Sequence, residues 1–245
     1  MSAEQDLKSL VSKLIAAAGG NLLSVILYGS AAAGEFHKGH SDLNILCVMR
    51  RLHRTDLATL HDASHWWVKK GNPAPLLFTL DELHHSADIF AIELLDMKAA
   101  HRVLHGEDLI APLTVPMDFH QRQVERELRN NTLRLRQHYV RHPADAGKTL
   151  ELMTSSISTF AALFRHALMA LGEEPPAAKR DAMQRIGNVL GFDPSPFDTI
   201  FAIREGRQRA RDVDVQATFE AYLDRISQVT EEIDRRLAVP PPSAA

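Results

Sequence analysis

A single cysteine, Cys47, among 245 residues leaves no internal disulfide to form, and its place inside an apolar run marks it as a buried, inert thiol. Charge of one sign is also missing. Lysine and arginine number 28 against 31 acidic residues, a net charge of −3, so no global basic field points to nucleic acid. The longest uncharged apolar runs, residues 22–34 and 43–49, fall short of the ~20 residues a membrane span needs. The N-terminal stretch carries Glu4 and Asp6 and lacks the apolar core of a secretion signal. Thirteen histidines invite a zinc reading, yet no His-Glu-x-x-His or Cys-x-x-Cys spacing occurs. No Gly-x-Gly-x-x-Gly follows a strand pattern and no parallel crossover series appears, which argues against a dinucleotide-binding doubly wound fold. Ser30 is not in a Gly-x-Ser-x-Gly elbow, so nucleophilic hydrolysis has no support. What remains is a 45% apolar chain with an ample core and few aromatics (6%), expected to be a soluble cytoplasmic protein.

The first 110 residues alternate helical and extended patterns. Leu7, Leu10, Val11, Leu14 and Ile15 recur at helical spacing, with Gly19-Gly20 as the stop. Short apolar runs at 24–28, 43–49 and 75–78 predict three strands, and Ile89–Leu95, interrupted by the charged Glu93, predicts a fourth. A helix is expected from a Thr55 cap through Trp67. Thr79-x-x-Glu82 matches a capping box. After Pro116 only helical spacing remains, in five segments near 118–140, 145–171, 177–190, 197–204 and 215–237. The first of these carries Arg122, Arg126, Arg129, Arg134, Arg136 and Arg141 against Glu125 and Glu127. It reads as a solvated face, or alternatively as a source of cations for an anionic ligand. Residues 1–117 hold 10 basic and 13 acidic residues, whereas the remainder is balanced. The expected organisation is a domain over 1–116, a helical bundle over 117–238 and a disordered tail over 239–245.

The segment between the first two strands carries the chemistry. Gly29 closes a buried strand and lets the backbone approach a ligand, and Ser30 adds a hydroxyl beside amides that can point at an anion. Twelve residues on, Asp42 opens the next strand, with Asn44 two positions later on the same face. Glu93, flanked by apolar residues, is the candidate third oxygen ligand, with Asp88 in reserve. Three oxygen side chains beside a phosphate-binding turn are what a magnesium–triphosphate site requires. His37 and His40 flank the turn and read either as part of a solvated loop or as contacts to a nucleotide.

This pattern resembles the DNA polymerase β-like nucleotidyltransferase superfamily, in particular the small bacterial branch that includes kanamycin nucleotidyltransferase. The likeness is close over 24–49 and loose over 89–95. It implies an α+β fold, a small mixed sheet with helices on one face followed by an all-α bundle; the acceptor is expected in the cleft between the two domains, since domain junctions favour ligand pockets. It implies that Gly29 and Ser30 hold the nucleotide phosphates. Asp42, Asn44 and Glu93 would be the metal ligands for one or two magnesium ions, with Asp42 and Glu93 as the catalytic carboxylates. The implied reaction moves a nucleoside monophosphate from a nucleoside triphosphate to a hydroxyl acceptor and releases pyrophosphate; a homodimer is compatible with it. Asn44 stands where the family carries a second carboxylate. It either ligates through its amide oxygen or completes a hydrogen-bond network at the turn. The alternative function is accordingly an attenuated or inactive nucleotide-binding protein on the same fold.

Overall fold

The computed structural model describes residues 2–32, 42–176 and 178–238. The loop with His37 and His40 and the proposed tail over 239–245 lie outside the described residues. The chain divides into two compact units, Met1–Pro116 and Met117–Ala245.

The first unit is built on a four-stranded sheet. Helix α1 (Ala3–Ala18) starts at a capping box in which Ser2 and Gln5 each satisfy the other's backbone N–H. It ends at Gly19, and a short 3-10 turn leads into β1 (Leu22–Tyr28). Strand β2 (Asn44–Met49) pairs antiparallel to β1, and β3 (Leu76–Thr79) adds parallel to β2. The fourth strand is β4 (His101–Gly106), antiparallel to the other side of β1, giving the order β3-β2-β1-β4.

Two sequence expectations are corrected here. Residues 89–95 do not form a strand: Ala91–Ala99 is a helix, here α5, and buries Ala91, Leu94 and Met97 at a spacing of three. A short apolar run cannot separate helix from strand by periodicity, and here Ile89 and Phe90 stay exposed while the helical stripe is covered. The second correction concerns the helices, which cover both faces of the sheet rather than one. Val25, Leu27, Ile45 and Cys47 pack with Leu7, Leu10 and Leu14 of α1 and with Leu60, Ala63 and Trp67. The last group lies along α2 (Arg54–Thr59) and α3 (His61–Lys69), two helices divided at Leu60 where a single helix was expected. On the other face Ile26, Leu46 and Val48 pack with Leu94, Met97, Ile110 and with Leu83 of α4 (Leu80–His85). The physical reason is that β1 and β2 are apolar at consecutive positions, so both sides must be shielded from water.

The second unit consists of α6 (Met117–Tyr139), α7 (Ala146–Ala170), α8 (Lys179–Leu190), α9 (Ser195–Arg204) and α10 (Val215–Ala238). Asp145 caps α7 by accepting the Lys148 N–H. Its stripe of Met153, Ile157, Phe160, Phe164 and Leu168 is buried and forms the bundle axis. Phe197 and Tyr222 meet it edge-on, Phe164–Phe197 at 5.5 Å and Phe160–Tyr222 at 5.9 Å between ring centroids. His120 and His166 lie buried side by side, Nε2 to Nδ1 at 3.0 Å. Among the described residues no helix is long and apolar enough to cross a membrane.

Candidate functional site

Tyr28 ends β1 because the next residue turns away from the sheet. Gly29 has φ +81°, a conformation open to glycine at little cost. The Gly29 N–H donates to the Ala100 carbonyl at 3.1 Å, and its own carbonyl accepts the Ala32 N–H at 2.9 Å, which fixes a tight turn. Ser30 is exposed in that turn, and Ala31 and Ala32 pack back on the core.

Register brings Asn44 to the same place. It faces Tyr28 directly across the β1–β2 pair, and a Cβ added to Gly29 would lie 3.4 Å from its Nδ2. That is ordinary van der Waals contact, so the turn needs glycine for its backbone conformation, and the Asn44 amide lies directly against it. Asp42 precedes the strand by two residues and is exposed. Gly29, Ser30 and Asn44 are thus gathered at one end of β1 and β2, and Asp42 lies at the entry to β2.

Glu93 does not share that sheet. It is exposed on the first turn of α5, and Asp88 is exposed in the turn just before that helix. Seven residues of chain, ~10 Å of helix axis, separate Glu93 from Ala100, the residue that bonds Gly29. The position across from Tyr28 on the other side is taken by His101. Asn44, Tyr28 and His101 therefore form one row on one face, since directly paired residues of neighbouring strands point the same way. His101 is held firmly: Nδ1 meets the Met97 carbonyl at 2.9 Å and Nε2 the Asp108 carboxylate at 3.1 Å. Asp108 also accepts the Ala111 and Ile110 N–H groups at 3.0 Å. The Ala111 amide, then His101, holds its carboxyl below the usual range. Burial pushes the Tyr28 hydroxyl in the opposite direction, upward. His101 could not be found from sequence, because nothing in a polar run such as His-Arg-Val-Leu-His-Gly announces a strand beside β1.

Among the described residues no group of three or more His, Cys, Asp or Glu side chains could hold a metal ion. Asp42 and Asn44, two apart in sequence, offer one carboxylate and one amide oxygen. Both are oxygen donors of the kind magnesium takes.

The architecture has a solved counterpart. A spectinomycin adenyltransferase, AAD(9), from Enterococcus faecialis, crystallised with ATP and spectinomycin, superposes with a TM-score of 0.55 over 91% of this chain and 99% of its own. The chain has a nucleotidyltransferase fold. Sequence identity to that structure is 16%, so the likeness is one of fold. No family model and no curated protein sequence matches the chain. In the nucleotidyltransferase fold seen here, a small mixed sheet carries the Gly29 turn and a separate helical unit follows in sequence.

Proposed function

We propose that this protein transfers a nucleoside monophosphate from a nucleoside triphosphate to a hydroxyl group on an acceptor. The observation that carries the reading is the meeting of Gly29 and Asn44: a left-handed glycine turn closed against the first side chain of β2. The AAD(9) structure, crystallised with ATP and spectinomycin, supports an ATP-like donor and a hydroxylated small-molecule acceptor.

In this reading the backbone amides following Gly29 and the Ser30 hydroxyl donate to the phosphates and hold the triphosphate in one orientation. A magnesium ion held by Asp42 and Asn44 would offset phosphate charge. Glu93 takes the proton of the acceptor hydroxyl as oxygen attacks the α-phosphorus and pyrophosphate departs. The His101–Asp108 pair fixes the β4 end of the row. It keeps Tyr28 and the turn in register through the neighbouring Ala100 carbonyl. The test is calorimetric titration of ATP with magnesium. Binding should be lost in Asp42→Ala, and pyrophosphate release should disappear in Glu93→Gln while ATP binding persists. ATP binding unaffected by Asp42→Ala would overturn the site.

A second reading, a nucleotide-binding protein without turnover, is favoured by one observation: an uncharged amide at residue 44 beside the Gly29 turn. Pyrophosphate release by the unaltered chain, across a panel of triphosphates and hydroxylated acceptors, decides against it.

A further inference from the structure

The second unit contains a cavity that the nucleotidyl-transfer reading does not use. It lies at the turn between α6 and α7, has a volume of about 310 Å³, and is lined by residues 138–155 alone. We propose that it binds the phosphate group of a small hydroxylated phosphate monoester, with Arg141 and Lys148 as the anion ligands and Thr149 as a hydroxyl donor.

Three observations converge on this assignment. The first is charge. Three arginines of α6 are occupied: Arg129 pairs with Glu125 and Asp234, Arg126 with Glu127, and Arg136 donates to Ser227. Among the described residues, no carboxylate lies within ion-pair distance of Arg141 or Lys148, although both line the cavity. Two permanent cations facing one space suit a dianion, and a guanidinium can meet two phosphate oxygens at once.

The second is an unpaired polar atom. Thr149 lines the cavity, is 2% exposed, and its Oγ1 has no hydrogen-bond partner. A buried hydroxyl without a partner is costly, and a phosphate oxygen would satisfy it.

The third is preorganisation. The His142 N–H donates to the Tyr139 carbonyl at 3.0 Å and the Asp145 N–H to the His142 carbonyl at 3.1 Å, so the turn is fixed by its own backbone. Lys148 Nζ donates to His142 Nε2 at 3.1 Å, which aims the ammonium. Asp145 already caps α7, leaving the anion to the side chains rather than to the helix end. Glu151 on the same wall repels a second anionic group but accepts hydroxyls, so the body of the ligand is neutral and hydroxylated.

Titration of the full chain with ribose 5-phosphate, inorganic phosphate and ribose tests this. Ribose 5-phosphate should bind saturably, inorganic phosphate more weakly, and ribose not at all. Arg141→Ala and Lys148→Ala should each weaken ribose 5-phosphate about tenfold, the loss of one charge-assisted contact. Thr149→Val should weaken it while the melting temperature stays level or rises, because an unpaired buried hydroxyl is removed. Asp42→Ala, at the other candidate site, should leave this binding unchanged. Absence of saturable ribose 5-phosphate binding, or binding indifferent to both cation substitutions, overturns the proposal.

Discussion

Replacing Asn44 with aspartate adds a negative charge beside the Gly29 turn without changing the shape of the side chain. With Asp42 already contributing one carboxylate at that strand end, Asn44→Asp should tighten magnesium by about tenfold or more and raise turnover. Magnesium-dependent ATP titration and pyrophosphate release measure the two effects. A fall in ATP affinity would instead show that the amide itself donates to a phosphate oxygen. Gly29→Ala probes the same contact from the other side. It forces an L-residue to φ +81° and brings a methyl to 3.4 Å from the Asn44 amide. The expected cost is about 1–2 kcal/mol of stability, with a larger loss of ATP binding, read by urea denaturation and calorimetry.

At the scale of elements, the β1–β4 pairing depends on a glycine outside the candidate site. Gly106 has φ +78°, and a Cβ there would fall 1.9 Å from the Leu23 carbonyl oxygen, a contact only backbone movement can relieve. Close by, the buried Ser24 hydroxyl is shared between the His105 and Glu107 carbonyls, at 3.1 and 2.7 Å. Gly106→Ala should therefore destabilise the first unit by about 3 kcal/mol or more, shifting its denaturation midpoint. Because β4 carries His101 and follows Ala100, which holds the turn, ATP binding should fall along with it. A neutral outcome would mean that β4 is not bound to β1 in the register described. Glu93 illustrates why its element was misread from sequence. A charge in an apolar run is costly inside a sheet, but in α5 the run becomes a helix whose buried positions are Ala91, Leu94 and Met97, and Glu93 points outward.

For the whole molecule, two acidic groups buried in different units shape the response to alkaline pH. Burial pushes the Cys47 thiol up to about 12 in the folded chain, whereas an unfolded thiol ionises near pH ~8.5. The folded state thus holds this proton more tightly. The stability it contributes is complete below pH ~8.5 and is lost as pH rises from there toward the folded value. Burial likewise raises the Tyr222 phenol, in part offset by its hydrogen bond with Ser156. Its contribution is lost above the unfolded tyrosine value of ~10. Urea midpoints measured against pH should decline in the alkaline range. Cys47→Ala should flatten the first part of that decline and Tyr222→Phe the second. The same burial predicts that a thiol reagent modifies Cys47 only after unfolding.

Local chemistry in the chain was enough to announce the Gly29 turn, the strand that follows Asp42, the Thr79–Glu82 capping box and the five helices after Pro116. Each is a matter of backbone permission, capping or periodicity within a few neighbours in sequence. What sequence could not contain was partnership across distance. That Asn44 sits against Gly29 depends on the β1–β2 register. That His101 occupies the other side of Tyr28, while Glu93 stays on a helix, depends on which segment claims the free edge of β1. A polar segment, His101–Gly106, takes that edge because half-exposed edge strands need little apolar content. The apolar run before it folds as a helix because the sheet face beneath it needs cover more than the sheet needs another strand.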